Sequence, residues 1–161
     1  MPKTKKHKKL KGKILEDVEK NLSETQKTYA DGKNLGEEVK KLVEGLYYIS
    51  ETDAEMLPFV GAEARAVTKE EILSQTKSPA NLPIEERDFA QFFARFTEIQ
   101  DWFGDEEKET AQKFVRLKEF LEKNLKDLKV FKIGKIQLDV YVVGLDAGNR
   151  LMGIKTKAVE T

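Results

Sequence analysis

The last third of the chain constrains the fold most strongly. Ile136, Leu138, Val140 and Val142 alternate with Gln137, Asp139 and Tyr141, the two-residue period of a strand with one buried face. Leu128 to Ile133 reads as a short strand before it. Gly144 to Asn149 supplies turn chemistry, and Met152, Ile154 and Ala158 alternate with Gly153, Lys155 and Lys157 in a returning strand. The sequence then closes on Val159-Glu160-Thr161. Most chain ends are loose, but one that emerges straight from a sheet is expected to be held. Thr161 would then present a positioned carboxylate and hydroxyl, both hard oxygen donors.

Helical spacing precedes these strands. Ile14, Val18, Leu22, Thr25 and Tyr29 form a narrow stripe to about Ala30, with Gly32 suited to a C-terminal cap. Val39, Leu42, Val43, Leu46 and Ile49 predict a second helix over 36–49, with Glu37 and Glu38 at its positive end. Ser50 to Glu55 breaks that pattern, placing Glu51 just past the helix, where simple solvation accounts for it. Pro58 makes Leu57 to Val60 an edge strand or an irregular approach to one, and Ala64 to Val67 reads as another short strand. Thr68-Lys69-Glu70-Glu71 is a capping box opening a short helix, and Ser78 to Pro83 is a loop. Asp88 and Gln91 repeat the capping spacing ahead of Phe89, Phe92, Phe93 and Phe96, four phenylalanines that read as core. A longer helix to about Leu125 carries Asp105, Glu106, Glu107 and Glu109 in its first turn. Asp101 and Trp102 precede it in a loop. Trp102 fits either an anchor to the core or, beside an acid, an interface hot spot for a basic partner.

Charge divides the chain into two parts. Residues 1–13 hold seven lysines (Lys3, Lys5, Lys6, Lys8, Lys9, Lys11 and Lys13) and no acid. The whole chain balances 29 Lys and Arg against 29 Asp and Glu, so the remainder carries 22 against 29, net −7. Such a lysine block reads either as a nucleic-acid-contacting arm or as a solubilising tail without aromatic or arginine side chains to stack on bases. The body is acidic, and at 161 residues it is long enough to bury a core as one domain.

Several functions are closed to it. There is no cysteine, and the only histidine, His7, lies in the lysine block, so nucleophilic triads and Cys/His metal spacings are absent. With 29 acids, paired carboxylates arise by chance and carry no weight for a hydrolase. No internal repeat, heptad array or phosphate-cradling glycine loop is present. The basic N-terminus lacks an apolar signal region, so export by that route is not expected and a cytoplasmic location is. A binding protein whose acidic surface answers a basic partner fits better than an enzyme.

From about Leu35 to Thr161 the chain resembles the nuclease A inhibitor family, small bacterial proteins that block sugar-non-specific endonucleases. The likeness rests on Leu46-Tyr47-Tyr48-Ile49-Ser50-Glu51, on Val67-Thr68 with Gln75-Thr76, and on Gln100-Asp101-Trp102 followed by Asp105-Glu106-Glu107. It is densest in Leu138-Asp139-Val140-Tyr141-Val142 and in Ile154 to Thr161. The resemblance implies an α+β fold, a three-layer α/β/α sandwich with a mainly antiparallel central sheet. That domain would span 35–161, with 1–34 as a lysine-rich tail and helical extension that has no counterpart in the family. The segment after Glu51 is also slightly longer than the family pattern. The implied target is a secreted nuclease of the ββα-metal type, with one catalytic Mg²⁺ in a basic cleft. The implied contacts are Glu51, Asp101, Trp102 and Thr161, with Thr161 supplying oxygen to the nuclease's own Mg²⁺. No cofactor and no catalysis are implied for the inhibitor itself.

Overall fold

The computed structural model describes residues 35–161. The lysine block, His7 and the helix expected from Ile14 to Ala30 lie outside the described residues. In chain order the elements are α1 (35–43), β1 (Tyr47–Ile49), β2 (Asp53–Glu55), β3 (Leu57–Glu63) and α2 (Lys69–Thr76). There follow β4 (Ile84–Arg87), α3 (Phe89–Thr97), α4 (Asp105–Asn124), β5 (Lys126–Gly134), β6 (Gln137–Leu145) and β7 (Arg150–Val159). β3, β7, β6, β5 and β4 pair in that order into a five-stranded antiparallel sheet, and β1 and β2 form a separate hairpin. The class is α+β.

The two-residue period sorts the core into two clusters. Leu138, Val140 and Val142 of β6 lie with Met152, Ile154 and Ala158 of β7 on one face of the sheet. Val39 and Val43 of α1, the phenylalanines of α3, and Phe114, Leu117 and Leu121 of α4 pack onto them. Phe131, Val143, Leu145 and Leu151 face the other way and meet Val67, just ahead of α2, and Ile72 of α2. The far end of β6 is thus buried on both faces, whereas the alternation pointed to one. Ile136, expected on the buried face, sits in the β5–β6 turn and is 55% exposed.

The caps follow local chemistry. Thr68 Oγ1 accepts the Glu71 N–H at 3.1 Å and Asp88 Oδ2 accepts the Gln91 N–H at 3.0 Å. Glu107 Oε1 reaches back to the Gly104 N–H at 2.9 Å.

Three expectations need correcting. The helix predicted over 36–49 ends at 43: Gly45 takes φ +80°, and Tyr47-Tyr48-Ile49 goes into β1, which suits aromatic and β-branched side chains. Glu51 therefore stands in a hairpin turn, not past a helix. Ala64 to Val67 forms no strand: pairing with β7 ends at Glu63 and the Ala64 N–H bond to the Asn149 carbonyl, and Val67 is drawn into the second cluster. Ile84–Arg87, unmarked by any alternation, pairs with β5 as an edge strand.

Gly153 lies between Val143 and Phe59 in the ladder, at φ +158°, and a Cβ there would run into the Val142 carbonyl oxygen. Gly153→Ala is expected to cost ~1–3 kcal/mol through overpacking. It should lower the urea midpoint with the slope unchanged; a wild-type midpoint would contradict so close an approach.

Candidate functional site

The β1–β2 turn and the end of β7 are stitched together. Ser50 Oγ accepts the Val159 N–H at 3.0 Å, and the Glu51 N–H donates to the Val159 carbonyl at 3.3 Å. Further along the hairpin, Thr156 Oγ1 donates to the Glu55 carbonyl at 2.8 Å. On its other side, Arg95 of α3 donates to the Ile49 carbonyl at 2.9 Å, its guanidinium lying over the rings of Tyr48 and Phe96. The turn that presents Glu51 is thereby fixed from two directions.

Thr161 closes the arrangement. Its N–H and its hydroxyl both donate to Glu51 Oε2, at 2.7 and 2.6 Å. The preceding residue is held separately: the Glu160 N–H donates to the Ile136 carbonyl at 2.9 Å, and its carboxylate pairs with Lys132 at 2.8 Å. Glu51 and Thr161 remain exposed. Two of the sequence-expected contacts are therefore in direct touch, as a carboxylate and a terminal residue on one surface.

Asp101 and Trp102 stand on a separate loop, between α3 and α4. A Phe103 N–H bond to the Gln100 carbonyl at 3.1 Å closes the turn that carries them. Trp102 is 73% exposed, with its ring edge-on to Phe103 at 4.7 Å between centroids. An indole left so open does not anchor the loop to the core, which decides against that alternative. α3 is the physical link between the two pairs, since its Arg95 holds β1 and its C-terminus leads into this loop. Ile49 and Ile99, 60% and 51% exposed, add apolar surface beside each pair.

A family model described as nuclease A inhibitor-like protein matches residues 33–161. The chain belongs to this family. No curated protein matches it. For a nuclease A inhibitor-like protein the expected partner is a nuclease. Among the described residues, no group of three or more His, Cys, Asp or Glu is placed to hold a metal ion. Among the described residues no helix is long and apolar enough to cross a membrane.

Some residues of this surface of the nuclease A inhibitor-like chain carry no advance signal. Ser50 and Glu160 fall inside the motifs that carry the family likeness, but their bonds join positions far apart in the chain. The Glu51–Thr161 bond spans 110 positions, and no local pattern announces it. Lys132 and Arg95 carried no signal at all.

The two hydrogen bonds from Thr161 hold the Glu51 carboxyl below the ordinary glutamate range, the hydroxyl contributing most. The folded-state value is lowered, so the tie is present at neutral pH and is lost only as pH falls through that lowered value. An NMR titration should find the Glu51 carboxyl changing below the midpoint of a free glutamate, with the Thr161 amide shift moving in step. Equal midpoints would contradict the bond in solution.

Proposed function

We propose that this chain inhibits a sugar-non-specific endonuclease of the ββα-metal type by covering its active site, and that it performs no chemistry of its own. The observation that carries this reading is the contact between Glu51 and Thr161 on an exposed surface of an otherwise acidic body. Both hydrogens of Thr161 go to one carboxylate oxygen, which leaves the hydroxyl lone pairs and the terminal carboxylate to face a partner. Those bonds hold Thr161 in place, as outer-shell carboxylates orient ligands in metal sites, so that in this reading its terminal carboxylate is the oxygen that reaches the metal.

The donor set suits Mg²⁺, which takes hard oxygens and commonly retains waters that another oxygen can replace. In this reading Thr161 supplies that oxygen to the nuclease's own metal, and Glu51 adds negative charge beside it. Asp101 pairs with a basic residue that otherwise holds phosphate, and Trp102 shields the contact from water. The two core clusters on opposite sheet faces are consistent with the family's three-layer sandwich, a rigid support for such a surface. The negative body would speed the encounter with a basic cleft. The proposed place of action is the cytoplasm.

Plasmid degradation by a ββα-metal nuclease, with and without the protein, tests the reading. Protection at near-stoichiometric protein is the expected result. Failure against every such nuclease from the same genome would overturn it.

The seven lysines of residues 1–13 motivate a separate proposal, weak contact with nucleic acid through that arm. It requires binding that weakens steeply with salt and is lost when residues 1–13 are deleted.

A further inference from the structure

We propose that Lys132 is a positioning residue for Thr161, acting through Glu160. This rests on the inhibitory reading above but concerns a side chain outside the contact surface. Pairing of β6 with β7 ends at Gln137 and Val159, so Glu160 and Thr161 lie beyond the ladder, where chains ordinarily fray. The bonds from Thr161 to Glu51 are exposed and compete with water. The Lys132–Glu160 bond is exposed too, but its cation is the more sheltered partner. Lys132 stands opposite Val140, which stands opposite Thr156, so one row crosses β5, β6 and β7. From that row its ammonium reaches past β6 to the Glu160 carboxylate at 2.8 Å, with its side chain only 11% exposed.

A cation so sheltered trades its partner for water less freely than an exposed one, and with the Glu160 carboxylate 42% exposed the pair serves geometry more than stability. Successive residues of an extended chain point to opposite sides. Locking the Glu160 side chain toward Lys132, with its N–H on the Ile136 carbonyl, sets the rotation from which Thr161 leaves. Thr161 is then directed toward Glu51 rather than sampling both sides. Lys132 touches no nuclease in this scheme; it determines where the final oxygens are found.

The test uses the full chain with Lys132→Met, which keeps the buried stem, with Glu160→Gln, which leaves the core untouched, and with the exchanged pair Lys132→Glu/Glu160→Lys. Two readouts are taken together: the backbone order parameter of the Thr161 amide, and nuclease inhibition. In both single variants the order parameter should fall from the rigid range near ~0.85 toward ~0.6. Inhibition should weaken ~10-fold through faster dissociation. The exchanged pair should recover part of both. An unchanged Thr161 order parameter in the two single variants overturns the proposal, and so does a loosened Thr161 with undiminished inhibition. If the wild-type chain inhibits no nuclease, the functional reading fails, while the order parameter still decides whether Lys132 holds the terminus.

Discussion

Adding one alanine after Thr161 is expected to weaken inhibition at least ~10-fold, about 1.4 kcal/mol. The extension moves the terminal carboxylate by ~3.5 Å along an extended chain. Mg²⁺ demands near-ideal octahedral ligands at ~2.0–2.1 Å, so a displacement of that size removes the ligand rather than straining it. The N–H and hydroxyl bonds of Thr161 to Glu51 do not involve the terminal carboxylate, so the extended chain keeps them and its stability. Thermal unfolding of the extended protein should match wild type while its inhibition titration shifts. Unchanged potency would end the metal bridge and leave inhibition by another geometry.

Trp102→Ala is expected to have a comparable or larger effect on binding with little on folding. A fully desolvated tryptophan at an interface centre contributes ~2–4 kcal/mol on truncation, roughly 30- to 1,000-fold in affinity. At 73% exposure the same indole buries little in the free protein, so stability should stay within ~0.5 kcal/mol of wild type. Asp101→Asn beside it should act mainly on the association rate, and more strongly at low salt. Affinity within ~3-fold of wild type for Trp102→Ala, below the tenfold that 1.4 kcal/mol represents, would remove this loop from the interface.

What the residues announced in advance follows from the range of the forces involved. The alternation of β6 and β7 was legible because burial acts on each residue separately and strand geometry repeats it every second position. The caps at Thr68 and Asp88 were legible because they are satisfied within one turn. Tyr47 to Ile49 misled because Leu46 and Ile49 continue the spacing of Val39, Leu42 and Val43, and only Gly45 marks the break. β4 was invisible because an edge strand with one apolar residue draws its stability from β5 rather than from its own pattern. The site divides in the same way. Glu51 alone looked like a solvated acid, and only the folded chain brings Thr161 onto it. Asp101 and Trp102 stood out because helix electrostatics explained their neighbours Asp105, Glu106 and Glu107 but not them.

The proposed metal bridge requires that the final oxygens of this chain complete the coordination of another molecule's metal. Affinity for a ββα-metal nuclease, measured with Mg²⁺ and again in EDTA for the wild-type and alanine-extended chains, addresses it most directly. Mg²⁺ should tighten the wild-type complex by a factor that disappears in the extended one. Equal wild-type affinity in Mg²⁺ and in EDTA would contradict the claim.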